Sequence, residues 1–213
     1  MNGQGFELES RETKRIETKH RRIVTPIPVP ESFPLLREMA EYEPISNTGQ
    51  PLIVEWPKET RQIMNMYDWA KQKAGLVEGI LACLDGKVYF FDIETGEATR
   101  PVLDIGIPFK GAGALDPRGY PILYLGSGDN YPEDPGKTVR AVVYSLVDFS
   151  CLYTFGSYKD SFAIRDWHAY DSSPLVDAET DTLIYPGENG ILYTIKLNTQ
   201  YDEQAGTLSL SLI

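Results

Sequence analysis

Seven consecutive residues, Arg165-Asp166-Trp167-His168-Ala169-Tyr170-Asp171, gather a guanidinium, two carboxylates, an indole, an imidazole and a phenol. A cationic and aromatic surface of this kind can hold a sugar or a peptide by stacking and hydrogen bonding. By residue type His168 is also a candidate general base. The same stretch can equally serve as a linker, its Trp packing between structural units and Asp171 bonding the turn below. A similar junction earlier in the chain, Pro108-Phe109-Lys110-Gly111, contributes a second cation. The candidate ligand-binding set is Lys110, Arg165, Asp166, Trp167, His168 and Asp171.

Other chemistries find little footing. The chain has two histidines, His20 and His168, and His20 lies in a charged N-terminal stretch, which speaks against a histidine metal site. No HExxH, GxSxG, phosphate-binding loop or CxxC occurs. Gly126 to Asn130, GSGDN, follows an apolar run but leads into a Pro-rich insertion rather than a helix, so it reads as a turn. Asp129, Glu133 and Asp134 lack the alternating oxygen spacing of a calcium loop and read as a solvated acidic loop. No catalytic residue, metal or cofactor is assigned.

The elements that must position the candidate residues are short strands. Ser173 to Val176, Thr182 to Tyr185 and Ile191 to Leu197 are β-branched and aromatic. The gaps between them, Asp177 to Asp181 and Pro186 to Gly190, carry turn residues. The pattern repeats. Laid without a gap over Asp171 to Gly190, Lys110 to Asp129 puts Asp116 on Asp177, Tyr124 on Tyr185 and Gly126 on Gly187. The insertion Asn130 to Lys137 accounts for part of the 61-residue offset. A partial third copy, Glu78 to Gly96, has Asp85-Gly86 between two apolar runs, a hairpin signal in which both turn residues are expected at positive φ. Repeats of this size, each a small meander, suggest stacked sheets that bury one another's faces.

These copies resemble the pyrroloquinoline-quinone-type (PQQ-like) repeat of β-propellers. The pieces that carry the likeness are Ser173-Pro174-Leu175, Tyr185-Pro186-Gly187, and the run from Val88 to Phe91 into Asp92-Ile93-Glu94-Thr95-Gly96. The likeness covers about residues 78–213. It implies an all-β protein with minor α, an incomplete propeller of antiparallel four-stranded blades with an N-terminal extension bearing one or two helices. In such propellers the candidate junctions lie at the rim of the central channel. Quinone-dependent members end their docking motif in Trp where this chain has Arg100, and their adjacent cysteine pair is absent, so no quinone is expected. The family implies an envelope or extracellular protein. The first 22 residues, charged and without an apolar core, are not a signal peptide, which favours the cytoplasm unless the start is altered.

Composition agrees with a turn-rich β protein: 42% hydrophobic, with 18 Gly, 15 Pro and 13 Tyr. A net charge of −11 argues against nucleic acid and anionic membranes as partners. No run approaches the roughly 18 apolar residues of a membrane span. Two cysteines are too few for a disulfide scaffold, and Cys83 and Cys151 read as buried strand residues.

In chain order, residues 1–22 read as a flexible tail, 23–75 as an extension and 76–213 as about three blades. Within the extension, Ile23 to Pro30 must be extended and Glu31 to Tyr42 is a short helix. Pro51 to Trp56 is a strand. Glu59 to Ala74 is one amphipathic helix with Ile63, Met66 or Tyr67, Ala70 and Ala74 inward and Arg61, Lys71 and Lys73 outward, stopped by Gly75. Glu97 to Leu103 is the outer strand of the first blade, and Thr207 to Ile213 is the last strand. Three blades cannot close a ring. The expected partners are therefore the remaining blades of a longer chain, a second copy, or another chain at the open edge, with a peptide or carbohydrate as ligand. The functional expectation is a non-catalytic binding or scaffold protein. The rival is a propeller enzyme, quinone-dependent or carbohydrate-active, with its catalytic residues mostly outside this chain.

Overall fold

The computed structural model describes residues 49–128, 140–157 and 160–212. The tail, the Pro-rich strap, the helix expected at Glu31 to Tyr42, the insertion Asn130 to Lys137 and the acidic cluster Asp129, Glu133 and Asp134 lie outside those residues.

The described residues are mostly β with two short helices, and their strands form several small antiparallel sheets. The first sheet has the order β1 (Leu52–Val54), β2 (Glu78–Ala82), β3 (Lys87–Asp92), β4 (Leu103–Asp104). Helices α1 (Lys58–Ile63) and α2 (Asp68–Gln72) lie between β1 and β2 in the chain. The second sheet runs β5 (Ala114–Leu115), β6 (Ile122–Gly126), β7 (Ala141–Ser145), β8 (Cys151–Phe155). The third holds β9 (Leu175–Asp177), β10 (Thr182–Pro186) and β11 (Leu192–Lys196), with β10 central. A separate hairpin pairs β12 (Thr199–Asp202) with β13 (Thr207–Leu210). Leu52–Val54, placed by its sequence in the extension, pairs with Glu78 to Ile80, so the first sheet reaches back across residue 75.

Side chains alternate across a strand, and β6 uses both faces. Leu123 and Leu125 join a core with Ile80, Val88 and Phe90 of the first sheet. Ile122 and Tyr124 join Leu183 and Leu197 on the side of the third sheet. All five residues of β6 are buried, the reason its run ILYLG is unbroken by a polar residue. Between the first two sheets, Glu78 and Arg100 form an ion pair with neither side chain exposed. The Glu78 carboxylate accepts from Arg100 Nε and Nη2 at 3.0 and 2.6 Å, from Trp56 Nε1 at 2.9 Å, and from Thr99 Oγ1. Arg100 also lies 4.8 Å over the Phe90 ring and donates to the carbonyl of Leu146, in the turn just after β7.

Several expectations are corrected. The single helix at Glu59 to Ala74 is two helices, separated by a break in which Met64 is extended. Met64 and Met66 are both in the core, and two residues that far apart cannot share one helix face. The backbone of the break bonds elsewhere instead, Asn65 N–H to Leu146 O and Tyr67 N–H to Thr99 O. Arg61, expected outward, is buried and caps α2 by donating to the carbonyls of Ala70 and Lys73, while Ala74, expected inward, is exposed. The second helix ends at Gln72 with Lys73 extended, so Gly75, at positive φ, lies in the turn after it and does not stop it. At Asp85-Gly86 only Gly86 has positive φ, in a turn closed by Gly86 N–H to Cys83 O and Cys83 N–H to Lys87 O. The outer strand of the first sheet is just Leu103–Asp104, and the last strand stops at Leu210. Cys151 is exposed, and both cysteines are free thiols.

The repeat also slips by one residue. In the second sheet Leu115 faces Leu123, whereas in the third Val176 faces Leu183. The turn from Pro117 to Pro121 is one residue longer than the turn from Ala178 to Asp181. A one-residue slip sends every following side chain to the other face. Tyr124 therefore points towards Leu183 of the third sheet, while Tyr185 points back to Ala141 and Phe155 of the second.

Candidate functional site

The loop from Asp160 to Ser172 has no regular structure, so tertiary hydrogen bonds must fix it. Asp160 supplies the first anchor: its carboxylate accepts from its own loop at Phe162 N–H, 3.0 Å, and from Tyr193 OH of β11, 2.8 Å. Asn189, fully buried, is the second. Its amide donates to Tyr193 OH at 2.8 Å, its side-chain oxygen accepts from Ile191 N–H, and its carbonyl accepts from Ile164 N–H at 3.0 Å. Glu188 N–H donates to Ala169 O at 3.0 Å. The loop and the β10–β11 turn are thus stitched along two sides.

Beneath them lies an aromatic cluster. Tyr170 N–H donates to Ser127 O at 2.7 Å and its hydroxyl to Gly156 O at 3.0 Å. The Tyr170 and Tyr185 rings stand 5.1 Å apart, with Phe155 against both. Burial pushes the hydroxyls of Tyr170 and Tyr185 well above the ordinary phenol value, so both stay protonated and act as donors. Tyr185 OH donates to Ser172 O at 3.1 Å, which ties the end of the loop to β10.

Above this base is an open pocket of about 410 Å³, lined by Arg165, Trp167, Ser172, Pro186, Gly187 and Glu188. Two of the six expected residues, Arg165 and Trp167, are brought together here. His168 is turned away from the surface and buried; burial holds its imidazole below the ordinary 6.5, against the opposing pull of Asp166 and Asp160. A buried neutral imidazole outside the pocket lining is not placed to act as a base on anything bound there. Asp166 and Asp171 are exposed and do not line the pocket, and Lys110 is half-buried alongside Gly128. Sequence reasoning missed Ser172, Pro186, Gly187 and Glu188. The Pro186-Gly187-Glu188 turn was legible as a turn, but nothing local said that it would face the loop.

The junctions ahead of the sheets do meet. A Cβ on Gly49, ahead of β1, would stand 2.6 Å from the carbonyl oxygen of Gly111, ahead of β5. A Cβ on Gly111 would stand 2.8 Å from the carbonyl oxygen of Asp171, ahead of β9. The three entry points are in backbone contact, one after another. Among the described residues no cluster of three or more His, Cys, Asp or Glu could hold a metal ion. No helix among them is long and apolar enough to cross a membrane.

No protein-family model matches the chain, and no curated protein matches it. Among solved structures, the chain is similar to the computationally designed Ika8 protein, at 15% identity and a TM-score of 0.33. The match covers 57% of this chain and 30% of that one, so the chain spans less than a third of the designed protein's length. A likeness this slight carries no argument about fold or function.

Proposed function

We propose that this chain is part of a PQQ-like β-propeller and works as a non-catalytic binding scaffold. The observation that carries the reading is the line of entry junctions at Gly49, Gly111 and Asp171-Ser172. Sheets that radiate from a common axis bring their first strands together in this way. The stacking of the second sheet between the other two supports it, because a small meander needs neighbours on both faces.

The third sheet then needs a neighbour of its own. Leu175, Ile184 and Thr194 form one row on its outer face, with Pro186 and Leu192 beside them. Leu175 and Leu192 are 64% and 61% exposed. The first two sheets have four strands each, whereas among the described residues no strand pairs with the far side of β11. In this reading a further β-sheet covers that face, supplied by remaining blades, a second copy or another chain.

The test is the native mass of the protein in its source cells, set beside the mass of the 213-residue chain in purified form. A heavier native chain, or a discrete oligomer that Leu175→Glu with Leu192→Glu splits into monomers, agrees with the scaffold. A stable monomer of 213 residues, equally soluble with and without those substitutions, would overturn it.

A further inference from the structure

The pocket over the third sheet leaves its charged groups unspent. Arg165 and Glu188 both line it, yet they form no ion pair with each other, and among the described residues neither side chain bonds to any other group. The Trp167 side chain is about half exposed and also has no hydrogen-bond partner there. Ser172 Oγ donates to Pro186 O at 3.2 Å and keeps its acceptor lone pairs. The walls are held in place by Glu188 N–H to Ala169 O and Tyr185 OH to Ser172 O, so these groups are presented on a fixed frame.

From this lining we infer that the pocket binds a neutral carbohydrate, one sugar ring stacking on Trp167 with its hydroxyls on Arg165 and Glu188. A guanidinium can only donate hydrogen bonds and an ionised carboxylate can only accept them. A hydroxyl does both, so the hydroxyls of a sugar can receive from Arg165 through oxygen and give to Glu188 through hydrogen. The opposite charges sum to zero, so a phosphate or carboxylate ligand meets Glu188 and an amine meets Arg165. The C–H face of a pyranose is apolar and matches the half-exposed indole of Trp167. About 410 Å³ suits a ligand of one or two rings, near the small end of the roughly 300–1,000 Å³ of ligand pockets. A peptide held as an added strand would need a run of free backbone groups along the pocket. The lining instead comes from side chains and a turn. The inference does not need the scaffold reading, since every residue of the lining belongs to this chain.

The experiment uses the full chain on an array of neutral and acidic oligosaccharides, followed by titration of the best neutral disaccharide with tryptophan fluorescence as readout. Glycine dipeptides and glucuronate serve as charged controls. The expected result is saturable binding of a neutral glycan, weakened about tenfold in Trp167→Ala and again in Glu188→Gln. The melting temperature should not change, because Trp167 is half exposed and the Glu188 side chain has no partner among the described residues. Binding confined to the acidic sugar or the dipeptides, neutral binding that both variants leave intact, or no binding at all would each overturn the inference. None of these results depends on the native mass, so the two readings fail separately.

Discussion

The phenol of Tyr170 occupies the space that a side chain on Gly156 would need. Its hydroxyl donates to the Gly156 carbonyl at 3.0 Å, and a Cβ on that glycine would lie 1.4 Å from the same oxygen. Gly156 also has φ +72, which an L side chain adopts only under strain. Local backbone and long-range packing therefore make one demand at this position, and the link from β8 to the candidate loop depends on it.

Gly156→Ala should destabilise the protein by about 3 kcal/mol, from the combined overpacking and positive-φ terms. Urea unfolding measures it. Adding Tyr170→Phe removes the clashing oxygen and should recover about 1 kcal/mol, although its hydrogen bond is lost. A Gly156→Ala protein of unchanged stability would mean that Tyr170 is not seated there.

Removing the charge from Glu78 should be more damaging than any surface substitution. Its carboxylate holds Arg100, Trp56 and Thr99 in a site closed to solvent. Glu78→Gln leaves the buried guanidinium without a counter-ion, and a loss of about 3–5 kcal/mol is expected. Thermal unfolding followed by tryptophan fluorescence checks it, because Trp56 reports on the same site. A loss below about 1 kcal/mol, the range of exposed pairs, would contradict the burial.

Stability should fall as pH drops below about 4, and Asp181 should be one source. Burial pushes its carboxyl up, but hydrogen bonds from Thr199 N–H at 2.6 Å and Oγ1 at 2.9 Å, with the Arg118 guanidinium at 2.7 Å, together hold it below the ordinary 3.8. A carboxyl depressed in the folded state adds stability that is present above its unfolded value. That stability is lost as pH falls through the folded one. Asp181→Asn should therefore be less stable than the parent near pH 6 and should lose less on acidification. Denaturation curves at pH 6 and pH 3 decide it, and parallel losses in the two proteins would exclude Asp181.

The two thiols should differ sharply in reactivity. Cys83 is buried, and burial, with Asp85 nearby, pushes its thiol up to about 12, whereas Cys151 is exposed on β8. A thiol-specific disulfide reagent should modify one cysteine per native chain, and Cys151→Ser should abolish that reaction. The second should react only once denaturant opens the first sheet. Two fast thiols in the native protein would place Cys83 at the surface.

Local pattern was enough to locate the central strands. Alternating and continuous apolar runs, punctuated by Gly, Asp and Pro, placed β2, β3, β6, β10 and β11 close to where they lie, because strand formation and turn chemistry are local. It also singled out Arg165 and Trp167. Tertiary structure decided what local pattern could not. Residues 59–74 carry a helical period, but sending both Met64 and Met66 into one core required breaking the helix, and only the surrounding sheets could make that demand. The repeat equated Tyr124 with Tyr185, yet one extra turn residue reversed the face of the strand that followed. The pocket joins a loop and a turn through Asn189, whose hydrogen-bond partners come from loop, turn and β11, and no spacing rule encodes that meeting. Periodicity specifies which residues can form a strand. Register, burial and the company that side chains keep are set when the sheets close on one another, since each sheet buries its faces only against its neighbours.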